Sequence, residues 1–138
     1  MQPLVRLSDW ETPLNALIAA RWTTPLDWGV HDCALWGADV VAAETGVDHG
    51  TKFRGKYSDA AGAAKALRDF GGGTITRTFD MFLPRRPIGN LRRGDLVMVG
   101  KDRDGAVGVV VGADALLIGE AGLVRRPMAM WERGWGVG

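Results

Sequence analysis

The sequence predicts an α+β fold in which helices come first and a small antiparallel sheet follows. Three observations carry this. Residues 33–44 place apolar side chains at helical spacing between Asp32 and Gly46. From residue 94 onward, short β-branched or leucine runs are cut by Gly, Asp and Asn. Strands and helices do not alternate along the chain, which speaks against parallel βαβ units. The 138 residues read as one domain, helical over about 1–73 and β-rich over about 74–138, and long enough to bury a core.

In the first helix Leu14, Leu17, Ile18 and Arg21 share a stripe, with Trp10 one turn earlier. Two starts compete. Thr12 before Pro13 offers an N-cap and a first position where a missing amide costs nothing, while Ser8 and Glu11 have capping-box spacing. The second helix is the clearest element. Cys33, Trp36, Gly37, Val40, Val41 and Glu44 fall on one face, with Asp32 as N-cap and Gly46 as stop. This mostly apolar face is expected to make the helix central and to pack it on the sheet. A third helix is expected over about 58–70, ending at "GGG", with Ala60, Ala63, Ala64 and Leu67 as its inner face.

The runs at 94–100, 106–112, 115–119 and 122–126 read as consecutive strands joined by hairpins. "KDRDG" at 101–105 is the first hairpin loop and "GAD" at 112–114 a tighter one. "WGVG" at 135–138 offers a last short strand. The expected sheet is small and antiparallel, or closed into a half-barrel.

Composition narrows the function classes. Apolar residues at 46% and charged residues at 24% fit an ordinary soluble domain. A net charge of +1 gives no reason to expect nucleic acid or an anionic membrane as partner. The pairs Arg85-Arg86, Arg92-Arg93 and Arg125-Arg126 read as solvated turns. One cysteine excludes an internal disulfide, and with two histidines it makes no ordinary structural zinc site. No metal or cofactor is expected. The opening "MQPLVRLSDWE" lacks a signal-peptide pattern, and no run approaches the ~20 apolar residues of a membrane span. The chain is therefore expected to stay where it is made or to leave within an assembly. Six tryptophans exceed what a core of this size needs. Trp131 and Trp135, in a Gly-rich tail, are either interface anchors or fold back into the core.

"GTKFRGK" at 50–56 has the spacing of a phosphate-binding loop, but Tyr57 stands where a Ser or Thr should follow. It also joins two helices instead of a strand and a helix, so it reads as a basic loop. Cys33 carries more weight. A thiol at a helix N-terminus meets free amides and the positive end of the dipole, which favour the thiolate. A lone cysteine is otherwise a small core residue.

"WGVHDCALWGADVV", with "RRGDLVMV" and "AVGVVVG" much later, resembles the NlpC-type cell-wall peptidases, a papain-like cysteine peptidase family, in a divergent phage tail-associated branch. The resemblance runs from about Trp28 to Val124. It implies a papain-like fold, with Cys33 at the nucleophile position and Gly94-Asp95-Leu96 at the turn that opens the first strand. Val107, Gly108 and Val109 match the strand that follows the family's catalytic histidine. That histidine is replaced by Ala106, and the residue that would orient it falls near Gly119. Neither can serve, since these peptidases need an imidazole to pair with the thiolate and protonate the leaving amine.

His31, two residues before Cys33, is the substitute base to weigh, with Asp32 or Asp95 as its orienter. His49 is expected in an exposed loop. The resemblance thus implies a phage tail structural protein, at the tail tip, with Cys33 a vestigial nucleophile. Its partners would be other tail proteins, with peptidoglycan a further partner class. It would be made in the host cytoplasm and found in the virion. The rival reading is an active cysteine peptidase or amidase that opens peptidoglycan during phage entry. A third is a host toxin or housekeeping relative of the same fold.

Overall fold

In the computed structural model, which describes residues 3–101 and 105–138, three helices of eleven or more residues and a short fourth precede a five-stranded antiparallel sheet. Helix α1, Glu11–Arg21, uses neither expected cap. The chain enters through a turn, and the N-cap position is Trp10, already helical (φ −51°) and without a side-chain cap bond. Leu14 is buried, and Leu17 and Ile18 lean on the core beside it.

Helix α2, Cys33–Thr45, forms as its spacing predicts. Asp32 Oδ1 accepts from the amides of Ala34 and Leu35, and Gly46 ends the helix at φ 79°, a conformation that favours glycine. Trp36, Val40 and Val41 are buried against the sheet, and Trp36 Nε1 donates to the Leu116 carbonyl at 3.0 Å. Gly37 sets the approach distance. A Cβ there would lie 2.6 Å from Phe79 and 2.9 Å from Val107, so any side chain would push α2 off the sheet. Glu44 ends the same face, fully buried. Burial pushes its carboxyl up to about 8, against the pull of Arg6 at 3.4 Å. At neutral pH it therefore mostly keeps its proton, which lets a carboxyl sit on an apolar face.

Helix α3, Ala60–Phe70, starts from Asp59, whose side chain accepts from the Gly62 amide. Its inner face keeps only part of the expected one, Leu67, which packs on the Leu35, Phe53 and Ala66 cluster. Ala66 is the buried residue, packed with Leu35 and Phe53, whereas Ala60 and Ala64 are exposed. The buried Phe53 fixes this rotation by filling the space between α2 and α3. A fourth helix, α4 at Ile75–Asp80, stands where the β-half was expected to begin. Its threonines suggest a strand. Thr74, however, caps the Arg77 amide, and Phe79 and Leu83 bury into the core.

The strands are β1 (Leu96–Val99), β2 (Ala106–Val110), β3 (Asp114–Gly119), β4 (Gly122–Pro127) and β5 (Trp131–Trp135). The first four form the expected meander, and β5 returns to the far side of β1, giving the order β4-β3-β2-β1-β5. The last strand is therefore 131–135, not 135–138. Val111 N donates to Asp114 O at 3.0 Å and closes the tighter hairpin. The 101–105 loop lies largely outside the described residues. Alternate residues of β1 serve two layers. Leu96 and Met98 face α2 with Val107 and Val109, while Val97 and Val99 join Val110, Leu117 and Trp131 behind. Both faces are covered, which is why these strands read as unbroken apolar runs.

Trp131 and Trp135 are 5% and 0% exposed, so of the two readings left open neither indole is an exposed interface anchor. The segment folds back and buries both, and Trp135 Nε1 donates to Asp80 Oδ1 at 2.9 Å. Arg92 and Arg93 are exposed at the turn before β1, as expected, whereas the other two arginine pairs depart from solvated turns. Arg85 pairs with Asp80, Arg86 reaches the buried Asp95 at 2.7 Å, and Arg125-Arg126 lie within β4. Among the described residues no helix is long and apolar enough to cross a membrane.

Candidate functional site

Cys33 opens α2 on the wall of a groove of about 460 Å³. Trp28 and Tyr57 line it on one side and Ala60 and Ala64 of α3 on another, with Ile75 and Gly105 completing the wall. The alanine stripe taken from sequence as an inner face thus borders a cleft. Gly105 is the residue immediately before β2, so the head of that strand borders the same cleft as the thiol.

The thiol is half-buried, and its acidity runs opposite to expectation. Burial, and after it the adjacent Asp32 carboxylate, pushes the Cys33 thiol up, outweighing the backbone hydrogen bonds that pull it down. Asp32 explains why the helix start does not win. It is 1% exposed. Its Oδ1 takes the Ala34 and Leu35 amides at 3.2 and 2.9 Å, while Oδ2 takes the Gly29 amide at 2.9 Å and the Tyr57 hydroxyl at 2.6 Å. The donors that would steady a thiolate are thus partly committed to a fixed anion beside it. The Tyr57 phenol is raised as well, by burial and then by its bond to Asp32, so it stays protonated as a donor. Alkylation of Cys33 by iodoacetamide should therefore keep accelerating past pH ~8.5, where an unperturbed thiol reaches its midpoint. A midpoint below that value would contradict this picture.

His31 does not serve the thiol. Its ring is 1% exposed, and Nδ1 accepts from Arg21 Nη1 at 2.7 Å. Nε2 is buried without a hydrogen-bond partner among the described residues. The ring lies edge-on to Trp36 at 5.9 Å. Burial first, and Arg21 second, lower its affinity for a proton. Neither expected orienter reaches it. Asp32 is engaged as above, and Asp95 accepts from Arg6, Arg86 and the amides of Arg92 and Val137. His49 is not an exposed loop residue either; it is half-buried and stacks on Phe82 at 4.4 Å.

Ala106 begins β2 and supplies only a methyl group. The register pairs Val109 with Leu116 and Val110 with Ala115, and Gly119 ends β3 paired with Gly122 of β4. Neither of the two positions singled out from sequence, Ala106 and Gly119, carries a side chain that moves a proton. Tyr57 is the site residue that sequence reasoning missed. It lies outside any periodic segment, and its bond to Asp32 spans 25 positions. Among the described residues no group of three or more His, Cys, Asp or Glu side chains could hold a metal ion.

The site thus defines a class: an α+β domain with a thiol at a helix start, facing a cleft that holds no imidazole among the described residues that line it. Residues 5–137 match the model of a family described as a domain of unknown function (DUF6950), and the chain belongs to that family. A comparison with curated proteins returned no match.

Proposed function

We propose that this chain is a structural component of a phage tail, at the tail tip, built on a papain-like, NlpC-type fold whose catalytic centre has been lost. The observation that carries the reading is Ala106. It stands at the head of β2, beside the Gly105 that borders the Cys33 cleft, where the resemblance calls for histidine. A raised thiol and a His31 ring committed to Arg21 support it, because a cysteine peptidase needs a thiolate and a mobile proton carrier together. The tail location and its partners, other tail proteins, rest on the resemblance. So do synthesis in the host cytoplasm and residence in the virion.

The rival reading is a cysteine peptidase or amidase acting on peptidoglycan, and the open cleft at Cys33 is what favours it. The location is tested by mass spectrometry of purified particles from the genome that encodes this chain, with Cys33→Ala in parallel. The chain should be present, and particle yield should be unchanged by the substitution. Its absence from particles would contradict the reading.

A further inference from the structure

We propose that the contact between Arg21 and His31 is an acid-operated latch. Protonation of His31 breaks it and loosens residues 22–31, the segment that carries Trp28, one wall of the cleft at Cys33. The geometry is specific about the atom involved. A guanidinium N–H only donates, so at 2.7 Å from Arg21 Nη1 the Nδ1 atom must accept, and the ring proton sits on Nε2. A second proton can go only to Nδ1. Two donors then face each other at hydrogen-bond distance, and the contact cannot survive.

The surroundings set the direction. Arg21 faces the ring from the end of α1, while Asp39 of α2, Asp32 at its cap and Asp27 are the acidic groups around it. Trp36 adds an uncharged edge. Burial and Arg21 lead, so the ring's proton affinity lies below the usual histidine range. The folded chain then binds fewer protons than the unfolded chain in acid. The stability the neutral ring contributes is present above the ordinary histidine range and is lost as pH falls through it.

Arg21 has somewhere to go, because Asp39 Oδ2 already holds it at 3.2 Å, and Arg54 completes that cluster at 2.8 Å from Asp39. The remaining ties of the segment include backbone bonds without a titrating member. Leu123 N donates to Trp22 O, Gly55 N to Gly29 O, and Asp27 and His31 form a two-bond bridge. The expected change is therefore a local loosening, not unfolding.

Amide hydrogen exchange of the intact chain, compared at about pH 7 and about pH 5 after correction for intrinsic rates, tests this. Protection of residues 22–31 should fall by about tenfold in acid, through openings that leave β1–β3 far better protected than this segment. In His31→Asn, whose amide oxygen can accept from Arg21 but takes no proton, protection should not change with pH. Equal protection at both pH values, exchange of residues 22–31 and the sheet at one common rate, or the same loss in His31→Asn would overturn the latch. Should His31→Asn fail to fold, NMR titration of the His31 ring in wild type decides. A midpoint shared with the loosening of 22–31 supports the latch, and separate midpoints overturn it.

Discussion

Replacing Asp95 by alanine should lower the free energy of unfolding by about 3–5 kcal/mol, the range for breaking a buried charge pair from one side. Asp95 is 0% exposed. Its Oδ1 accepts from Arg6 at 2.9 Å and from the Val137 amide at 3.0 Å. Its Oδ2 accepts from Arg86 at 2.7 Å and from the Arg92 amide at 3.0 Å. One carboxylate thus ties the N-terminal arm, the segment before β1, the turn into β1 and the C-terminal segment. Alanine would leave two guanidinium groups and two amides without this acceptor. Asp95→Asn should cost less, since one oxygen still accepts. Urea unfolding with an unchanged slope would measure both. A loss below about 1 kcal/mol for alanine would mean that water or neighbouring carbonyls take over the four donors.

Trp135→Ala should cost a similar about 3–5 kcal/mol, the usual range for removing a fully buried large aromatic. The indole is 0% exposed, lies 5.5 Å from the Phe79 ring and bonds Asp80 through Nε1. The cavity would open between β5, α4 and the sheet-facing side of α2, where three elements cannot all collapse inward. Urea unfolding checks this too. A Trp135→Ala chain that folds as stably as wild type but fails to assemble would instead restore the surface role that the Gly-rich tail suggested.

The order of helices and strands was legible in the sequence because it follows from periodicity. The α2 stripe, with Asp32 and Gly46 at its ends, is set by local geometry alone, and so are the four meander strands. What failed depends on partners distant in the chain. The rotation of α3 is decided by Phe53, a loop residue without periodicity. Helix α4 overrides its β propensity because Phe79 finds Trp135, 56 residues later. The tail tryptophans read as ambiguous because nothing local marks a returning strand that pairs with β1.

The site shows the same division. Cys33 at a helix start and Ala106 at a strand head are positions along elements, and both fell where the spacing put them. The thiol's chemistry is not such a position. It is set by burial and by the Asp32 side chain, which Tyr57 and Gly29 hold in place from outside the helix. The role of His31, in the bridge segment before α2, was equally hidden, since its partner Arg21 lies at the end of α1.

The proposed loss of the catalytic centre is tested most directly on purified peptidoglycan, with wild type, Cys33→Ala and Ala106→His compared for release of soluble fragments. Wild type should match Cys33→Ala at background, because removing the base of a nucleophile–base pair typically costs several powers of ten in rate. Ala106→His reports whether an imidazole at the head of β2 can reach the thiol. Turnover by wild type that disappears in Cys33→Ala would contradict the account and make this chain an enzyme.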